Sequence, residues 1–177
     1  KPVRYVHDPI RGGSDILVLC EVFTASGAVH ESNTRAHLRE VEKTFAFFEP
    51  WFGIEQEYTF FKNGRPLGFP EDGFPEPQGK YYCGVGQGCA IGRAVAERHM
   101  RACLDAGLEL CGINAEVMPG QWEFQVGPLA PLAVADQLWI GRWLLHRLSE
   151  DYGITVTIYP KPLKDWNGAG ANTNVST

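Results

Sequence analysis

No two of the five cysteines are separated by just two residues, and five is an odd number. A structural zinc knuckle and a disulfide framework are therefore not expected. Cys20, Cys83, Cys89, Cys103 and Cys111 read instead as reduced, mostly buried thiols of a cytoplasmic protein. No apolar run approaches the roughly 20 residues of a membrane span, and Lys1-Pro2-Val3-Arg4 does not read as a signal peptide. Basic charge is scarce: 16 Lys and Arg against 21 Asp and Glu give a net charge of −5. That argues against a nucleic-acid partner held by phosphate neutralisation. His7, His30, His37, His99 and His146 show no metal-ligand spacing and read as surface or capped residues. No Ser/His/Asp or Cys/His arrangement is apparent.

What is present is a globular composition, 44% apolar and 21% charged over 177 residues. That length suits one domain of ordinary size, or one and a half small ones. The sequence opens on Lys1 and stops in a Gly/Asn/Ser/Thr-rich stretch, so a piece of a longer protein is expected.

Ile16 to Val22 is a β-type run. Ser32 can cap a helix whose apolar face is Leu38, Val41, Phe45 and Phe48, ended by Glu49-Pro50. Trp51 to Phe61 reads as a strand followed by an Asn63-Gly64 turn. Arg65 to Gly88, with four prolines, reads as a long loop of the kind that is often functional. Ile91 to Ala106 reads as a helix with Ile91, Val95, Ala102 and Cys103 inward and Gly107 at its C-terminal end. Ile113 to Val117 and Gln121 to Val126 form a hairpin about Pro119-Gly120. A helix starts at Asp136 and ends near Gly153, Ile154 to Tyr159 alternates as a strand, and Asp165 to Thr177 is turn-rich. The expected class is α+β with an antiparallel-rich sheet.

Alternate residues of a strand share a face. Ile54, Gln56, Tyr58 and Phe60 fall on one side of the first strong strand; Glu55, Glu57 and Thr59 fall on the other. Two carboxylates on one face repel, and burying them unpaired costs several kcal/mol. A bound cation removes both penalties, although such a pair can equally be a solvated face. The hairpin repeats the pattern: Glu116 ends its first strand, and Glu123 shares a face with Gln121 and Gln125. If the hairpin and the strand share a sheet, four carboxylates converge on one surface. Oxygen-only ligands suit Mg²⁺ or Mn²⁺ better than Zn²⁺, and two such ions suit phosphoryl transfer. Gly84 to Gly88 has glycines but neither a P-loop ending nor dinucleotide spacing, and reads as a plain loop. Asn167-Gly168-Ala169-Gly170 is either a turn or a nest of backbone N–H groups for an anion.

The strings WFGIEQEYTFF, GFPEPQGKYYCGVG, GINAEVMPGQWEFQVGP, DQLWIGRWLLHRL and DWNGAGANTN are long and specific. In this order and close to this spacing they resemble glutamine synthetase of the eukaryotic-like type II class, from about Asp8 to Thr177. The resemblance implies a ligase that makes glutamine from glutamate and ammonia. ATP phosphorylates the γ-carboxylate of glutamate, and ammonia displaces the phosphate. It implies Mg²⁺ or Mn²⁺ at two sites, with Glu55, Glu57, Glu116, Glu123 and Asn172 at the metal-ligand positions. Glu123, Phe124, Gln125, Val126, Gly127 and Pro128 border the nucleotide, with Asn174 and Ser176 on the phosphate side. Glu116, Asn167 and Gly168 match positions around the substrate glutamate. The family implies homo-oligomeric stacked rings with active sites shared between subunits.

Two positions depart from the family pattern. Asn172 stands where N-G-A-G-x-H-T-N has a metal-binding His, and Lys161 to Asp165 is one residue short. The family's catalytic acid/base groups and ATP-gripping arginines fall outside these residues, so the chain alone is expected to be inactive. Residues 1–48 would be the end of a β-grasp-like domain with its connecting helix. Residues 49–177 would be the first half of a catalytic domain of the ATP-guanido-kinase-like type, with a curved antiparallel sheet and outer helices. The rival readings are a ligase joining glutamate to another amine, and a non-catalytic homologue for which Asn172 speaks.

Overall fold

The computed structural model describes residues 1–177. It is an α+β fold in which every strand pairing is antiparallel. Strands β1 (Pro2–His7) and β2 (Ile16–Cys20) form a two-stranded sheet of their own. Helix α1 (Thr34–Phe45) follows and passes through a 3-10 turn, Ala46–Phe48, into the long strand β3 (Trp51–Lys62). Next come the short β4 (Arg65–Pro66), a loop, helix α2 (Arg93–Asp105), the β5 (Leu110–Ala115) and β6 (Gln121–Leu129) hairpin, and helix α3 (Pro131–Ser149). Strands β7 (Thr155–Thr157) and β8 (Ala171–Ser176) close the order. The main sheet runs β4-β3-β6-β5. Both β7 and β8 pair with β3 as well, and β8 covers the Trp51–Gln56 stretch whose other side carries β6. No helix is long and apolar enough to cross a membrane.

Strand β3 is the spine, and its alternation decides the layers. Gln56, Tyr58 and Phe60 point into the core with Trp122, Phe124 and Val126 of β6. Val95 and Ala96 of α2 and Val134, Leu138 and Leu145 of α3 pack over them. The Val, Leu and Phe side chains among them contribute roughly 1.5–3 kcal/mol each on full burial. A second cluster, Cys103, Leu108, Ile140 and Leu144 with Val6, ties the first hairpin to the helices. Gly120 closes the β5–β6 turn at φ 75°, where a Cβ would meet the Leu67 carbonyl oxygen at 2.5 Å, so only glycine fits.

Several elements differ from the sequence reading. The cap of α1 is Asn33, whose Oδ1 accepts from Ala36 N at 3.0 Å, and Ser32 stands outside. The Leu38/Val41/Phe45/Phe48 stripe forms, but Val41, Phe45 and Phe48 stay exposed along an open apolar groove shared with Phe52 and Pro131. Helix α3 begins at Pro131, five residues before Asp136, since proline's missing N–H costs nothing in a first turn. The strand expected over 154–159 shrinks to Thr155–Thr157, and the turn-rich tail contains β8, which β3 templates through its backbone. Strand β1 has no counterpart in the sequence reading. His99 is fully buried between α2 and α3, not a surface residue, and donates Nε2–H to the Gly141 carbonyl at 2.9 Å. No disulfide forms, but of the five thiols only Cys103 is buried; Cys20, Cys83 and Cys111 are exposed.

Candidate metal centre

The sheet face turned away from the helices carries the acidic residues. Across the β3–β6 ladder Glu57 lies opposite Glu123, and Glu55 lies opposite Gln125. Directly opposed residues share a face, so these four side chains stand together. Glu116 follows β5, where its N–H donates to the Gln121 carbonyl at 2.9 Å and fixes the hairpin end. Carboxylate oxygens of Glu57, Glu116 and Glu123 all lie within 4.8 Å of one another. Glu55 lies one pleat further along, outside this trio, and accepts from Asn174 Nδ2 at 2.9 Å.

Glu116 and Glu123 are buried, with relative exposures of 7% and 5%. Loss of solvent, with the Glu57 charge next in importance, pushes the Glu116 carboxyl up to about 7. Asn114 Nδ2 and the Val117 N–H oppose this shift with hydrogen bonds at 3.1 and 3.2 Å. Glu123 is also pushed up, by desolvation first and by Glu55 and Glu57, against a 2.6 Å hydrogen bond from Gln125 Nε2. No ion pair of the chain involves Glu55, Glu57, Glu116 or Glu123. Three converging carboxylates with no cationic side chain, two of them buried, are a donor set that a hard divalent cation fits.

The remaining residues singled out from the sequence fall into two neighbouring places. Along the sheet, a cleft of about 290 Å³ is lined by Glu55, Gln125, Val126, Gly127, Pro128, Asn174 and Ser176, with Trp51 and Cys111. Phe124 does not reach it: its ring is fully buried on the opposite face of β6. Asn172 pairs with Glu55 across β3–β8, on the same face. On the other flank, Asn167 Nδ2 donates to the Gly168 carbonyl at 3.1 Å and to Gln121 Oε1 at 3.4 Å. The Gly170 N–H donates to Glu57 Oε2 at 3.2 Å. The proline-rich loop packs against this segment, Phe69 on Trp166 and Gln78 Oε1 accepting from Asn167 N at 3.1 Å.

Asn114, Gln121, Tyr82 and Cys111 also border the site without having been singled out as candidates. Strand alternation carried a signal for the first two, which share a face with Glu116 and Glu123 respectively. Nothing in the sequence placed Tyr82 there; its hydroxyl is pushed up by the Cys83 thiol and then by the Glu116 carboxylate.

Comparison with known proteins gives the family. The family model described as glutamine synthetase, catalytic domain, matches residues 31–177. The chain belongs to the glutamine synthetase family. It is 64% identical to a glutamine synthetase of Streptomyces viridochromogenes, over 100% of this chain and 52% of that protein. A chloroplastic glutamine synthetase of Chlamydomonas reinhardtii is 56% identical over 100% of the chain and 48% of its own length. For glutamine synthetase 2 cytoplasmic of Drosophila melanogaster the values are 54%, 99% and 48%. The chain thus spans about half the length of the relatives it matches.

Proposed function

We propose that this chain supplies the divalent-metal and nucleotide side of an ATP-dependent ligase that joins ammonia to the γ-carboxylate of L-glutamate. The observation that carries the reading is the convergence of Glu57, Glu116 and Glu123 beside the Gln125–Pro128 cleft, in a glutamine synthetase family chain. Bound Mg²⁺ or Mn²⁺ would supply neutralisation of phosphate charge. Glu57, Glu116 and Glu123 would hold one ion; Glu55, with Asn172 opposite it, would contribute to a second. Gln125 to Pro128, Asn174 and Ser176 would border ATP, with Glu123 and Phe124 fixing the strand that carries them. Asn167, Gly168 and Glu116 would orient glutamate so that a γ-carboxylate oxygen attacks the terminal phosphorus and the bond to ADP breaks. Ammonia then attacks the acyl carbon, phosphate leaves, and the nitrogen loses a proton to a base from another part of the protein. Residues 1–48 would close a β-grasp-like domain and 49–177 open the catalytic one. The exposed α1 stripe and the open edge of β8 support stacked homo-oligomeric rings with shared sites. The five unpaired thiols support a cytoplasmic location.

The test is a Mn²⁺ titration of the chain followed by electron paramagnetic resonance. Wild type should take up Mn²⁺, and Glu123→Gln should weaken it at least ~10-fold, as loss of a carboxylate ligand does. Equal affinity in both proteins would remove Glu123 from the metal centre. No uptake by wild type would remove the centre altogether.

A further inference from the structure

Gln121 opens β6 on the face of Glu123, and only 1% of it is exposed. A buried primary amide has two donor hydrogens and two acceptor sites to satisfy. Here all four have partners. Nε2 donates to the Gly168 carbonyl at 2.5 Å and to Glu57 Oε2 at 3.4 Å. Oε1 accepts from Met118 N at 3.2 Å and from Asn167 Nδ2 at 3.4 Å. A backbone N–H only donates and a carbonyl only accepts, so Met118 and Gly168 together allow one orientation of the amide. A flip would set donor against donor and acceptor against acceptor at once.

The consequence lies at Glu57. Its Oε2 is held between Gln121 Nε2–H and the Gly170 N–H, while Oε1 receives no hydrogen bond from the protein. One amide therefore shares with the Gly170 N–H in holding a carboxylate of the trio, and it also binds the Asn167–Gly168 segment. We propose that Gln121 is a positioning residue that couples occupancy of the Glu57/Glu116/Glu123 centre to the conformation of that segment. This rests on the reading of the trio as a metal centre and of Asn167–Gly168 as the glutamate-binding backbone. Coupling of this kind is reciprocal: an ordered segment tightens the ion, and the ion orders the segment.

A double-mutant cycle on the 177-residue chain tests it, with Mn²⁺ alone as the probe. Gln121→Met keeps the length of the side chain and removes its hydrogen bonds. It should weaken Mn²⁺ binding ~10-fold or more, the usual effect of losing a group that orients a ligand. Asn167→Ala removes one donor to Gln121 without touching the trio. It should weaken Mn²⁺ binding by a smaller factor in wild type and have no further effect in the Gln121→Met background. A purely structural Gln121 would lower Tm and leave the two effects on affinity additive. Additivity, or an unchanged Mn²⁺ affinity in Gln121→Met, overturns the proposal while leaving the metal reading intact. If Gln121→Met does not fold, Asn167→Ala alone decides, since unchanged Mn²⁺ affinity overturns the coupling and weakened affinity upholds it. A wild-type chain that takes up no Mn²⁺ overturns the metal reading, and the coupling with it.

Discussion

Glu57 faces Glu123 across the ladder, where like charges ordinarily destabilise a sheet. The side chains around them moderate that repulsion without cancelling it. Gln121 and Gln125 donate hydrogen bonds to Glu57 and Glu123, and Asn114 donates to Glu116. All three are neutral amides, so the negative charge stays in place for a cation. The pair formed by Glu55 and Asn172 is the weaker half of the surface, with one carboxylate and one amide. An imidazole is a better ligand than an amide oxygen for Mn²⁺. Asn172→His is accordingly expected to tighten the weaker class of Mn²⁺ sites in a binding isotherm. An isotherm that superimposes on wild type would mean that residue 172 does not reach the ion.

At the scale of elements, β3 and β6 keep one register from Ile54–Val126 to Thr59–Gln121, and α2 and α3 clamp their other face. His99 is part of that clamp. It is fully buried, lies within 3.2 Å of the Cys103 thiol, and packs edge-on against Phe124 at 4.9 Å between ring centroids. Burial lowers its pKa to about 4, and the hydrogen bond to Gly141 only partly opposes this. The unfolded chain therefore binds the proton over a window where the folded chain does not. Stability is fully present above the ordinary histidine value near 6.5 and is lost as pH falls from there towards 4. Between pH 7 and pH 5 the loss should be about 2 kcal/mol. Urea denaturation of wild type and His99→Leu at the two pH values checks it. A pH dependence unchanged by the substitution would assign the acid sensitivity to other groups.

For the molecule as a whole, a buried ionic network joins the N-terminal portion to the helices behind the main sheet. Arg35 of α1 grips Asp136 of α3 with two hydrogen bonds, at 2.7 and 2.9 Å, and also donates to Glu21. Arg39 and Asn33 reach the same Glu21. Glu21 and Asp136 are both buried; removing the guanidinium leaves Asp136 without its cation and Glu21 with Arg39 as its one remaining cationic partner. Arg35→Ala is expected to cost about 3–5 kcal/mol. Adding Asp136→Asn should recover part of this, because a neutral amide tolerates burial better than a charge. Denaturation midpoints of the single and double variants check both statements. The network links residues 101 positions apart in sequence, which no local pattern announces.

Much of this protein was legible without coordinates. The period-two pattern of Trp51 to Phe61 put Glu55 and Glu57 on one face, and the same rule put Glu123 with Gln121 and Gln125. Alternation is a property of the extended backbone and survives in any sheet. The α2 span, the tight turn at Gly120 and the α+β class followed from equally local physics. Tertiary structure alone decided the rest. Pairing of β6 with β3 brought Glu57 to Glu123, since register is set by the packing of the opposite, apolar face. Pairing with β3 made a strand of 171–176, whose polar sequence has no strong preference of its own. His99 became a buried residue because two helices closed over it. Gln121 became the junction of two segments because folding set Glu57 and Gly168 on either side of its amide. The sequence by itself determined which side chains share a face; only the folded chain determined which faces meet, because burial of apolar surface is a property of the whole molecule.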